Sequence, residues 1–150
     1  LMIKNEQEYQ NTQTQLSKFE QALVQLESRV RVNDDVHPVL RKAQQEAMRY
    51  QIGELHRELE EYDALREGRL TVLELDSFGE LPQALIQARI AAGLSQRQLA
   101  ERLGLKERQI QQYESTDYAS ASIQRIQEVI QALGIKVREE VVLPATGSAR

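Results

Sequence analysis

Apolar residues in the first half of the chain recur at seven along two interleaved lines. Tyr9, Leu16, Leu23 and Val30 make one line, and Thr12, Phe19 and Leu26 make the other. Neither Pro nor Gly interrupts 3–30, so the spacing predicts a long helix with a narrow seam and a surface of Gln, Glu, Lys and Ser. Asn33, Asp34 and Asp35, followed by Pro38, mark a break. A second helix is expected over 38–67, opening at Pro38, which suits a first turn, and ending at Gly68. Along it Met48, Leu55 and Tyr62 repeat at seven, with Ile52 and Leu59 between them. Two amphipathic helices joined by a short polar loop fold back as an antiparallel hairpin over 1–68. A lone hairpin buries little. It is therefore expected to pack on a second copy, on another protein, or on the rest of its own chain. The charged run 57–67 reads as a solvated helix face.

The pattern changes after residue 68. In the connector 69–79, Leu70, Val72, Leu73 and Leu75 suit a short strand or the start of a helix. Ser77 and Glu80 have the spacing of a capping box, and with Pro82 they place a helix start between Ser77 and Leu81. That helix covers Ala84, Leu85, Ala88, Ile90 and Ala91 and ends at Gly93. Ser95 then caps a helix striped by Leu99, Ala100 and Leu103, which Gly104 closes in a left-handed turn. After Leu105 the next helix turns Ile110 and Tyr113 inward and leaves Lys106, Glu107, Arg108, Gln111 and Gln112 outside. A polar loop over 115–120 follows. Ser120 or Ser122 caps the last helix of the 80–134 unit, whose apolar face is Ile123, Ile126, Val129, Ile130 and Leu133 and whose stop is Gly134. Alternation over 135–143 predicts a C-terminal β-strand, paired with 70–75 or with its own copy, and 144–150 reads as a disordered tail.

Ala100 lies four residues after Gln96, where two crossing helices approach closely; Gly104 follows four later and Ile110 six after that. Over about 81–135, this set of Gln96, Ala100, Gly104 and Ile110 resembles the helix-turn-helix of the lambda-repressor or Cro-like (Xre) family of bacterial regulators. The expected fold is thus mainly α, a long-helix hairpin followed by a lambda-repressor-like bundle and a short strand. The resemblance implies double-stranded DNA as partner, with the second helix of the motif in the major groove and the first across the phosphates. It assigns Glu107, Arg108 and Gln112 to base edges. Arg can donate twice to guanine, Gln can pair with adenine, and Glu can accept from the cytosine amine. Lys106, Gln111, Gln96, Ser115 and Tyr118 become supporting or backbone contacts. Arg89 and Glu114 match a family pair that forms an internal salt bridge, while Ala100, Gly104 and Ile110 are motif core. A homodimer on a pseudo-palindromic operator follows, held by the hairpin or by the strand. The alternative is a HigA-like antitoxin, whose helical N-terminal half binds a toxin protein while the helix-turn-helix represses its own operon.

Composition narrows this further. A chain of 150 residues holds one ordinary domain or two small modules. With five Tyr, two Phe and no Trp its core must be largely aliphatic. The absence of cysteine removes disulfides and thiolate metal sites and fits a reducing cytoplasm. There is no apolar run of about 18 residues and no basic-then-apolar stretch, so neither a membrane span nor a secretion signal is expected, and Leu1 before Met2 suggests Met2 as the natural start. A net charge of −4 argues against indiscriminate coating of nucleic acid. The charge is also uneven: 1–79 carry ten Lys or Arg against fifteen Asp or Glu, whereas 80–150 carry nine against eight. His37 and His56 fall in different elements and form no zinc or acid–base set, so neither enzyme activity nor a cofactor or metal is expected. Gly53 is mid-helix, at a cost of about 1 kcal/mol, and is expected to mark a close helix contact.

Overall fold

The computed structural model describes residues 2–29 and 37–146. Val30, the loop residues Asn33, Asp34 and Asp35, and the end of the predicted tail lie outside the described residues. Six α-helices follow in order: α1 (Glu6–Arg29), α2 (Pro38–Arg66), α3 (Leu81–Ala91), α4 (Gln96–Leu103), α5 (Glu107–Ser115) and α6 (Ile123–Leu133). One 3-10 turn, Phe78–Glu80, leads into α3.

α1 begins at Glu6 rather than at Ile3 because Asn5 caps it. The Asn5 Oδ1 accepts from the backbone N–H of Glu8 at 2.8 Å, and the Glu8 carboxylate accepts from the N–H of Lys4 at 2.8 Å. This releases Ile3 from the helix and lets it enter the core. The heptad seam closes as its spacing predicts: Tyr9 and Leu16 are buried with Leu55, Leu59 and Tyr62, and the Tyr9 and Tyr62 rings sit 5.0 Å apart. Toward the tip the seam thins, and Leu23, Leu26 and Met48 are only half-buried. α2 stops at Arg66, with Glu67 as cap and Gly68 at φ 74°.

The base of the hairpin packs on α3, and one apolar cluster runs from Ile3 through Leu65, Leu85 and Leu99 to Leu133. The hairpin is therefore continuous with the C-terminal bundle. Around that cluster, Ser122 accepts from the N–H of Arg125 at 3.1 Å to start α6, and Gly134 ends it at φ 68°.

Three expectations are corrected. The C-terminal β-strand over 135–143 does not form; neither does the alternative strand over 70–75, and the described residues contain no β-ladder. Alternation alone cannot satisfy a strand's N–H and C=O groups without a neighbour, and here Ile135 and Val137 pack on the bundle while Val141 to Leu143 remain exposed. Ile123, assigned to the apolar face of α6, is exposed because it is the first helical residue, before the helix meets the bundle. Gly53 marks no close contact: a β-carbon there would meet nothing within 4 Å.

Candidate nucleic-acid interface

The two short helices α4 and α5 are set by local chemistry. Ser95 Oγ accepts from the Gln98 N–H at 3.1 Å while the Gln98 side chain accepts from the Ser95 N–H at 2.8 Å, a reciprocal box that fixes where α4 begins. Gly104 ends α4 at φ 68°, and Gln109 reaches back to the Lys106 N–H at 3.0 Å to start α5. Leu99, Ala100 and Ile110 are fully buried in the α4–α5 crossing. Ala100 permits that approach, as its small side chain requires.

This crossing turns one side of α5 to solvent. Lys106, Glu107, Arg108, Gln111 and Gln112 are all exposed. Arg108 makes no ion pair among the described residues, and neither its guanidinium nor the Gln112 amide is held by another side chain there. Gln111 leans toward Glu107, Nε2 to Oε1 3.5 Å. Ser115 is exposed, but its hydroxyl donates to the Gln112 carbonyl at 3.0 Å, which leaves it only an acceptor.

Behind that face lies a buried ionic node. Arg89 grips Glu114 with two nearly parallel bonds, Nε to Oε2 2.7 Å and Nη2 to Oε1 2.8 Å, and the two side chains are 3% and 1% exposed. Further hydrogen bonds surround the pair: Arg89 also donates to the carbonyls of Leu94, at 2.8 Å, and Lys4, and Gln96 Nε2 donates to Glu114 Oε1 at 3.0 Å. The pair ties α3 to α5, and Gln96 adds the start of α4. Gln96 thus has one amide hydrogen inside the node and one left over.

Tyr118 corrects the assignment to phosphate. Its side chain is 3% exposed, it stacks on Tyr113 at 5.5 Å, and its hydroxyl is buried with no hydrogen-bond partner among the described residues. Burial pushes its pKa well up, with the Glu114 carboxylate adding to the rise. The chain delivers it there by placing Asp117 and Tyr118 in the left-handed region, φ 50° and 56°. No Gly marks that turn, so the sequence carries no signal for it.

Sequence reasoning also missed the N-terminal segment. The Lys4 ammonium donates to the Glu114 carbonyl at 2.9 Å, near the end of α5, while the Lys4 carbonyl accepts from Arg89. The only hint was Ile3, an apolar residue outside the heptad lines.

Residues 85–139 match the family model described as helix-turn-helix. Over this segment the sequence is similar to the lambda-repressor-like (Xre) helix-turn-helix family. It covers most of α3, the whole α4–α5 unit and α6, and it excludes the hairpin. Comparison with curated proteins and with solved structures gave no match. Helix-turn-helix domains of this kind are DNA-binding regulatory modules, and the match supports a DNA-binding regulatory role for this segment. None of its described helices is long and apolar enough to cross a membrane.

Proposed function

We propose that the chain acts as a homodimeric, sequence-specific repressor, with α5 of each copy in the major groove of a pseudo-palindromic operator. The observation that carries this reading is the uncommitted outer face of α5 on a rigid base. Arg108 and Gln112 are exposed and held by no other side chain among the described residues, while the opposite face is fixed by Ile110 and by Glu114 in its node with Arg89. Preorganised donors on a rigid helix discriminate bases because a wrong base leaves them unpaired. Arg108 reads guanine, Gln112 adenine and Glu107 the cytosine amine. Lys106 and Gln111 flank them, and the second amide hydrogen of Gln96 reaches phosphate at the start of α4. Two such helices about 34 Å apart meet successive major grooves on one side of the duplex.

Fluorescence anisotropy of the full chain against its own upstream DNA and a scrambled duplex, across salt, tests this. Arg108→Ala is expected to lower the preference for the upstream DNA by about 1–3 kcal/mol, whereas Gln96→Ala weakens both duplexes alike. Binding by both variants indistinguishable from the parent would overturn the site assignment.

A further inference from the structure

α2 carries a second apolar stripe on the side away from α1. Its α1-facing residues are Ile52, Leu55, Leu59 and Tyr62, and about half a turn round the helix Leu40, Ala43, Ala47 and Tyr50 fall at spacings of three, four and three. All four are exposed, Leu40 at 53% and Tyr50 at 66%. Val39, 70% exposed, flanks them, and the ion pair of Arg57 with Glu54 closes the stripe at its base. Spacings of three and four are those of a coiled-coil seam, and two alanines at its centre let a facing backbone come close. Among the described residues this face stays exposed.

Resting on the homodimeric reading above, we propose that the covering element is α2 of a second copy, packed in parallel so that Leu40, Ala43, Ala47 and Tyr50 each meet their own counterpart. Charge sets where on α2 two copies can pair and in which direction. Over 38–53 the ionic side chains are Arg41, Lys42 and Arg49 against Glu46, a weak balance, whereas over 54–67 there are six acidic residues, Glu54, Glu58, Glu60, Glu61, Asp63 and Glu67, against Arg57 and Arg66. The distal part of α2 is therefore the part on which like copies repel least. In a parallel pair the flanking Glu46 lies beside Gln51 of the other copy; in an antiparallel pair the same heptad sets Glu46 against Glu46 at the two-fold axis. A parallel pair also brings both helix-turn-helix domains to one end of the bundle, as adjacent half-sites require.

The sequence has no cysteine, so single introduced thiols report cleanly. Sedimentation of the full chain between about 1 and 100 µM is expected to show a monomer–dimer equilibrium that Leu40→Glu and Tyr50→Glu each weaken at least about tenfold, with unchanged helical circular dichroism because both positions are exposed. Leu40→Cys and Ala47→Cys are each expected to form intermolecular disulfides under mild oxidation, and Lys18→Cys, on the outer side of α1, is not. A dimer that survives both Glu variants and cross-links at neither position overturns this interface while leaving the DNA reading to the anisotropy measurement. Monomerisation by the Glu variants without cross-linking at 40 and 47 overturns the parallel arrangement. A chain that stays monomeric at the highest concentration overturns the proposal and leaves the face to a different protein, as the antitoxin alternative would have it.

Discussion

At the scale of the residue, the node of Arg89 and Glu114 decides more than its two charges suggest. A buried pair is a weak source of net stability, yet removing one partner strands the other without water. Arg89→Ala leaves Glu114 charged and buried, and it also frees the carbonyls of Leu94 and Lys4. The expected loss is about 3–5 kcal/mol by urea unfolding, a large share of the 5–15 kcal/mol typical of a domain. The double change of Arg89→Met with Glu114→Leu should recover part of it; a double variant as unstable as the single one would mean that the carbonyl contacts dominate. Tyr118 behaves in the opposite sense. Its buried hydroxyl has no partner among the described residues, so Tyr118→Phe is expected to gain about 1 kcal/mol. Its raised pKa has a definite sign. Above pH 10 the unfolded tyrosine releases its proton while the folded one keeps it, so its contribution is complete below pH 10 and is lost as pH rises toward the folded value. The parent should lose stability more steeply from pH 10 to 11 than Tyr118→Phe does; the slope does not vanish, since Tyr9 and Tyr62 are raised by burial too. Equal slopes in the two proteins would contradict this account.

At the scale of the element, what was legible in the sequence was what depends on neighbours in sequence. Ser95, Gly104, Ser122 and Gly134 bound α4 and α6 because caps act within four residues, and the Tyr9–Leu16 seam was readable because helical periodicity is local. The outer face of α5 followed from the same period. Features that depend on distant partners were not legible. The strand over 135–143 needed a ladder that does not form, and the entry of Tyr118 into the core rests on two left-handed residues that are not glycine. Likewise the reach of Lys4 to Glu114 spans nearly the whole chain. Gly53 separates the two kinds of reasoning. Its place in mid-helix invited a tertiary explanation, but the space around it is open and the proposed stripe does not use it. Gly53→Ala is therefore expected to stabilise α2 by about 0.5–1 kcal/mol, seen as a higher melting temperature. Destabilisation would instead reveal a contact at that position. Ser122→Ala should lower stability by about 1 kcal/mol through the start of α6.

At the scale of the whole molecule, the continuous cluster from Ile3 to Leu133 joins the hairpin base to the DNA-binding bundle, whereas the hairpin tip shares little of it. Local stability follows burial. Amide exchange should therefore be slowest at Leu59, Tyr62, Leu85 and Ile110, which open only with the whole molecule, and should quicken along both hairpin helices beyond Phe19 and before Met48. Concentration then distinguishes the parts. If α2 pairs with its copy, raising the protein concentration through the dimerisation range slows exchange over 40–50 and leaves Ile110 unchanged, because mass action stabilises only what the second copy touches. A uniform slowing across the chain would place the coupling in the shared core instead. In that case Lys4 is the connection to test, since it bonds Glu114 on α5 from just ahead of α1; Lys4→Ala should then return exchange in α5 toward its monomer rate without altering the sedimentation of the dimer.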